Sequence, residues 1–336
     1  MRLLRFSAWR LLSIGPVLVG VVTFTFLLVR ILPGDPVGTL LGPNSSAQDR
    51  IDLTARLGLD QPIYIQFFQF VSDLFRGNFG KSLQTGRPVM EELSEVFPAT
   101  IELIIISLII ALIIGVTLGL TSAIRERKPS DKLIRLTSIV GNSMPEFWIG
   151  LILILIFYGW LGIVPAPSGR IDTGITVANI TGMEFIDSIL TFDKPAFISS
   201  GRHLFLPVLT IIFVISAPIT RSIRASALEV IASDSFITAK AHGLSGWTLI
   251  RKYLVRNSLI ALPTLSAIIF GFMLGSIILV ETVFGWQGFG QWALKGLSLR
   301  DYPVIQLTVM TVAFFYTIAY FIADIVHSII DPRIDI

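Results

Sequence analysis

Residues Leu103 to Leu120 read LIIISLIIALIIGVTLGL, eighteen positions without a single charge. A helix that crosses the hydrocarbon core of a bilayer needs about 20 mainly apolar residues, because only a helix satisfies its own backbone hydrogen bonds there. This stretch meets that test with only Ser107 and Thr117 as polar side chains. Five further stretches meet it too: Leu11 to Val29, Phe147 to Val164 (with an earlier start near Ile139 also open), Leu204 to Thr220, Ser258 to Val280, and Pro303 to Ala323. The sequence therefore predicts an all-α polytopic membrane protein with six transmembrane helices.

Composition agrees. Of 336 residues 53% are apolar and 15% charged, with a mean hydropathy of +0.77, too little charge to cover a soluble surface of this size. The chain has no cysteine, so disulfides and thiolate metal sites are excluded. The formal charge of +3 does not point to nucleic acid, because the basic residues border apolar runs without interleaved stacking aromatics. They mark topology instead. On the side that carries both termini of a six-span chain, fifteen Lys and Arg fall in 69 positions, against ten in 129 on the other. The positive-inside rule then places both termini in the cytoplasm. Arg2, Arg5 and Arg10 ahead of the first span resemble a secretory signal, but the apolar run is longer than a signal core and no small-x-small cleavage site follows it. An uncleaved anchor is expected.

Three parts follow from these spans: residues 1–31 as the cytoplasmic N-terminus and first helix, 32–98 as an extracytoplasmic helical loop region, and 99–336 as the core with helices two to six. In the second part, Ile63, Phe67, Val71 and Phe75 recur every four residues and predict an amphipathic helix, with Asp60 and Pro62 as its start and Gly77 beyond its end. Within the third part, 221–258 is expected to be a long cytoplasmic loop. Ser233-Asp234-Ser235 offers helix-start chemistry there, and a short helix over 236–242 stops at Gly243, a residue suited to a left-handed turn. So short a helix is marginal alone in water, which points to an interaction role.

Catalytic chemistry is not visible. His203, His242 and His327 lie far apart, and none has a second histidine at ligand spacing. Neither a Gly-x-Ser-x-Gly motif nor paired membrane aspartates supports the alternative of an intramembrane hydrolase. The Gly-Lys-Ser at 80–82 imitates a phosphate loop, but the glycine that the motif requires five positions earlier is Phe75. The chain shows no energy source of its own.

The motifs in order are Leu32-Pro33-Gly34-Asp35-Pro36, Leu57-Gly58-Leu59-Asp60-Gln61-Pro62, Gly77 to Ser82, and Pro98-Ala99-Thr100-Ile101-Glu102-Leu103. After them come Ser143-Met144-Pro145-Glu146-Phe147-Trp148, Thr238 to Leu244, Arg256-Asn257-Ser258, Glu281 to Trp286, Gly288-Phe289-Gly290, Asp301-Tyr302-Pro303, and Asp331-Pro332-Arg333. Over almost its whole length the chain resembles the membrane subunit of bacterial dipeptide, oligopeptide and nickel importers of the ABC class, of the first permease type, like dipeptide permease B. That resemblance implies the MetI-like permease fold and a place in the bacterial inner membrane. It implies a channel shared with a second, homologous permease, two cytoplasmic ATPases that use ATP and Mg, and an extracytoplasmic substrate-binding protein. No cofactor is implied for this chain, and nickel or oligosaccharide remain alternatives to peptides as cargo.

The same resemblance makes the helix near 233–244 the coupling helix, with Asp234, Phe236, Thr238, Ala239, Lys240, Gly243 and Leu244 as its ATPase-facing set. Where the wider importer pattern reads Glu-Ala-Ala, this chain has Ile237, Thr238 and Ala239. Carboxylates inside membrane segments hint at function. Glu281 and Phe284 are candidates for an external gate or substrate path, and Glu146 for a cationic peptide amine or a neighbouring helix. Gly271, Gly275 and Ser276 are candidates for the channel face. The spacings Gly115-x-x-x-Gly119 and Gly271-x-x-x-Gly275 also fit close helix packing. Glu102 and Asp324 are expected near helix ends, within reach of interfacial water.

Overall fold

The computed structural model describes residues 15–27, 30, 41, 46–56 and 58–330, and among them it contains helices and no strand. In chain order these are α1 (Gly15–Leu27), α2 (Ala47–Arg56) and α3 (Ile63–Phe75). Next come α4 (Val89–Ile124), α5 (Pro129–Ser143), α6 (Glu146–Trp160), α7 (Glu184–Leu190) and α8 (Lys194–Ala232). The last are α9 (Asp234–Ala241), the linked turns Gly246–Thr248, Leu249–Val255 and Arg256–Ser258 as α10, then α11 (Leu262–Phe284), α12 (Phe289–Ser298) and α13 (Tyr302–Ile330). Helices α4, α8, α11 and α13 are long and apolar enough to span a membrane, and the bent pair α5–α6 passes the same test as one broken span. Helix α1 falls inside the first expected span. The ends of that span, the turn at 32–36, the first ten residues and the motif at 331–333 lie outside the described residues.

The centre of the bundle is α4 against α8. Both run the same way, and glycines on α4 let the backbones meet. A Cβ on Gly115 would come within 2.6 Å of Ile219, and one on Gly119 within 2.8 Å of the Thr220 carbonyl. With Ile211, Ile215, Ile219 and Ile223 of α8 these form the principal apolar core, which Met273, Ile277 and Val280 of α11 complete. Without a hydrophobic difference between helix and lipid, such close approach supplies the packing energy. Pro207 and Pro218 are accommodated inside α8, which extends well past the expected 204–220. Its last turns take up 221–232, so the expected cytoplasmic loop begins as helix.

Two other boundaries differ from the expectation. The third span does not run straight from Ile139: α5 and α6 meet at an angle of 106°. Pro145 supplies no N–H to continue α5 and holds Met144 in an extended conformation, so Glu146 opens a new helix rather than occupying mid-span. The fifth helix starts at Leu262 because Pro263 occupies its first turn, where a missing N–H costs nothing. Helix α3 has the expected bounds, although Asp60 does not cap it; Pro62 precedes it with no side-chain cap. Phe67 and Phe70 of α3 hold Phe26 of α1 at ring distances of 5.2 and 5.7 Å.

At the α12 end, residues 77–93 clasp the bundle. Ser82 of the false phosphate loop donates to the buried Asp301 at 2.6 Å, and its hydroxyl accepts from the Gln84 and Thr85 N–H groups. Glu92 accepts from the Trp292 indole at 2.9 Å. Glu102 is 1% exposed, contrary to the expected solvation by interfacial water. It accepts from the backbone N–H groups of Phe185 and Ile186 at 2.9 and 3.0 Å, and so closes the free N-terminus of α7 onto α4.

Candidate functional site

At the opposite end, α8 stops because Ser233 turns extended. The Ser233 hydroxyl then accepts from the Phe236 N–H at 3.4 Å and starts α9. After Ala241 the chain leaves through Gly243 at φ +77°. The Gly243 N–H donates to Lys240 O at 3.0 Å and the Leu244 N–H to Ala239 O at 3.4 Å. This paired closure of the last carbonyls requires a left-handed residue between them. Ser245 restarts the chain as α10 by accepting from the Thr248 N–H.

Helix α9 has two faces. Ala239 is buried and Phe236 half-buried against Ala123 of α4, Ala227 of α8 and Leu254 of α10. Asp234, Thr238, Lys240, Gly243 and Leu244 lie on the open side. Beside them the chain exposes Ile237 and Trp247, at 55% and 72% of their surface. In the sequence Ile237 was noted only as a departure from the wider importer pattern, and Trp247 was not singled out. A wide, exposed tryptophan next to a rigid helix end is the residue type that anchors protein interfaces.

A buried polar knot joins this end to the bundle. Asp131, at the start of α5, accepts from Ser122 of α4 and from Nε and Nη2 of Arg224 of α8, at 3.0 and 3.2 Å for the latter two. The Arg127 N–H adds a further bond at 3.1 Å. Nothing in the sequence brings 122, 131 and 224 together. The available signal was an acidic residue in the first turn of a helix that opens with Pro129.

The candidates within the bundle separate into two groups. Glu146 and Ser276 face a cavity of about 500 Å³ at the α5–α6 bend, which Asn142, Pro218, Ile268 and Phe272 also line. Ser276 Oγ lies 3.3 Å from Glu146 Oε1. Gly275, adjacent in sequence, has open space where a Cβ would stand. Gly271 instead packs on α13, since a Cβ there would overlap the Tyr316 ring at 1.9 Å. Glu281 and Phe284 are buried. Glu281 accepts from the Thr100 hydroxyl and, at 2.9 Å, from the Gln291 N–H. Gly288 and Gly290 pass so close to its carboxylate that side chains there would collide with it. Trp286 reaches back to the Ala99 carbonyl at 3.1 Å. Glu281 thus ties the end of α11 to α12 and to Pro98-Ala99-Thr100, and within this chain it does not face the Glu146 cavity. A larger groove of about 620 Å³ between α4, α11 and α13 is lined by apolar side chains apart from Ser266. Among the described residues no group of three His, Cys, Asp or Glu could hold a metal ion.

Residues 115–336 match the family described as "Binding-protein-dependent transport system inner membrane component", and residues 3–104 match the N-terminal part of the same kind of membrane component. The chain is 39% identical over 333 residues to a probable D,D-dipeptide transport system permease protein, DdpB, of Escherichia coli (strain K12), covering 99% of this chain and 97% of that protein. It is 37% identical to the di/tripeptide transport system permease protein DppB of Pseudomonas aeruginosa (strain UCBPP-PA14), and 38% identical to the dipeptide transport system permease protein DppB of Alkalihalophilus pseudofirmus. Each of these covers 99% of both chains. These relatives are transport permeases, and the four long apolar helices with the bent pair make this chain a multi-pass membrane protein of the same build. The chain belongs to the family of binding-protein-dependent transport system inner membrane components.

Proposed function

We propose that this chain is the channel-forming subunit of an ATP-driven, binding-protein-dependent importer of di- or oligopeptides, and that it is itself non-catalytic. The observation that carries the reading is full-length similarity, at 37–39% identity, to permeases named for dipeptide and di/tripeptide transport. In this reading a second permease completes the channel and an extracytoplasmic binding protein delivers the cargo. Two cytoplasmic ATPases hydrolyse ATP with Mg and grip α9, whose open side with Ile237, Leu244 and Trp247 supplies an apolar anchor. The excess of Lys and Arg on the α9 side supports cytoplasmic termini. ATP-driven closure of the ATPases moves α9 as a rigid lever, and because Phe236 seats it on α4, α8 and α10, the motion passes to the spans. Glu146, Ser276 and the cavity at the α5–α6 bend then belong to the substrate path, while Glu281 and Phe284 brace its external end.

The test is copurification. A tagged chain isolated in mild detergent is expected to bring down two ATPase chains and a homologous permease, and loss of that association on replacing Trp247 and Ile237 by Ser would place the grip on α9. A chain that purifies alone and catalyses turnover unaided would overturn the reading.

A further inference from the structure

Two charges lie along one face of the bundle, and among the described residues neither has an opposite charge to pair with. Glu146 faces a cavity whose walls carry no Lys, Arg or His. Its one hydrogen-bond donor among the described residues is the Ser276 hydroxyl. On α8, Pro218 lines that cavity, and Arg221 follows three residues later on the same stripe, a rise of about 4.5 Å. Arg221 Nη2 donates to Asn142 Oδ1 at 3.1 Å, and Asn142 lines the Glu146 cavity from the other side. Past this bond lies a second cavity of about 210 Å³, bordered by Arg135, Arg221 and Arg224. Arg224 and Arg135 share Asp131, at 3.0 and 3.8 Å. Arg221 has no carboxylate within salt-bridge reach among the described residues.

An unpaired carboxylate in a membrane cavity is costly and invites a cation from outside the chain. A metal ion fits poorly, because among the described residues no His, Cys or second carboxylate lines the cavity with Glu146. An ammonium fits well, with Ser276 as a further polar contact. A free anion would in turn find Arg221 with its charge available. Asn142, which Arg221 bonds, lines the Glu146 cavity, so the two charges border one path. The first cavity, about 500 Å³, has the volume of a small-molecule site.

We propose that Glu146 and Arg221 read the two ends of a short zwitterionic peptide, its ammonium at Glu146 and its carboxylate at Arg221, so that it passes through with the carboxylate end leading toward α9. This rests on the peptide-importer reading of the same face. It adds a polarity to the passage and gives two residues opposite roles.

The test uses the intact importer in proteoliposomes, with its binding protein and ATP. Uptake of a labelled dipeptide, normalised to assembled importer, is expected to fall about ten- to hundredfold in Glu146→Gln and in Arg221→Gln, the effect of losing a charge-assisted hydrogen bond. The double variant is expected to be little worse than either, since both act on one ligand. Two dipeptides with a photoreactive side chain at residue one or at residue two then test the polarity. The residue-one probe should mark Phe147 or Phe272, and the residue-two probe should mark the segment around Ser138 and Ala225. Wild-type rates in both single variants, or the reversed crosslinking pattern, would overturn the proposal while leaving peptide import intact. A wild-type importer that moves no dipeptide would overturn the peptide reading itself, and the polarity with it.

Discussion

Replacing Gly243 by Ala isolates the proposed coupling turn from every packing effect. A Cβ at Gly243 meets nothing within 4 Å, so the substitution introduces no clash. What it does introduce is an L side chain at φ +77°, where left-handed backbone costs about 1–2 kcal/mol. That is a factor of about 5–30 in the population of the closed turn. Valine, branched at Cβ, is expected to be worse than alanine. Gly246 provides the control: a Cβ there also meets nothing within 4 Å, but its backbone is not left-handed. In vesicles carrying equal amounts of importer, uptake is expected to fall severalfold in Gly243→Ala and further in Gly243→Val. ATP hydrolysis should fall less than uptake, because the lever is loosened rather than removed. Gly246→Ala should match the parent. Equal uptake in all three variants would refute the role given to this turn, and so would a loss in Gly246→Ala as large as in Gly243→Ala.

Packing and charge give four further expectations. Gly119→Ala pushes a methyl group to 2.8 Å from the Thr220 carbonyl, which is backbone and cannot yield, so about 1–3 kcal/mol of stability should be lost. Gly275→Ala, with open space around it, should melt within a degree or two of the parent in detergent. Arg224→Ala leaves the buried Asp131 with only the more distant Arg135, at 3.8 Å, as its cation and should cost about 3 kcal/mol in the same thermal assay; an unchanged midpoint would mean that Arg135, Ser122 and the Arg127 N–H suffice. Within α7, burial alone would raise the Asp187 carboxyl. The Thr181 hydroxyl and the N–H groups of Ile180, Thr181 and Gly182 outweigh burial and hold it below its ordinary value of 3.8. Because the folded value is depressed, the contribution is full at neutral pH and is lost as pH falls through that lowered value. Proteolysis within 170–183 should therefore rise only in strong acid. Asp187→Asn should show the same cleavage at neutral pH, and equal protection in both forms would contradict this account.

Much of the architecture was legible because lipid leaves helices few alternatives. The runs at Leu103, Ser258 and Pro303 were found on composition alone, and α3 on its four-residue period. What escaped was local geometry. Hydropathy cannot distinguish a straight span from one that turns by 106° at Met144-Pro145, since it reports how apolar a segment is and not its direction. Nor can it show that α8 continues past Thr220, because polar turns of a helix read like a loop. The turn chemistry of Ser233 and Gly243 was visible, since both act through neighbours in sequence. The exposure of Ile237 and Trp247 was not, because exposure depends on α4, α8 and α10 packing behind them. Glu281 shows what a sequence hides about the surroundings of a membrane carboxylate. Its partners Thr100 and Gln291 come from two other elements, and only their convergence reveals a brace.

The most direct measurement is dipeptide uptake by the purified complete importer in proteoliposomes, driven by ATP on the α9 side and supplied by loaded binding protein on the other. Accumulation that requires this chain and stops when ATP hydrolysis is blocked is the predicted result. Accumulation that continues without hydrolysis, or peptide cleaved by this chain without the ATPases present, would contradict the account.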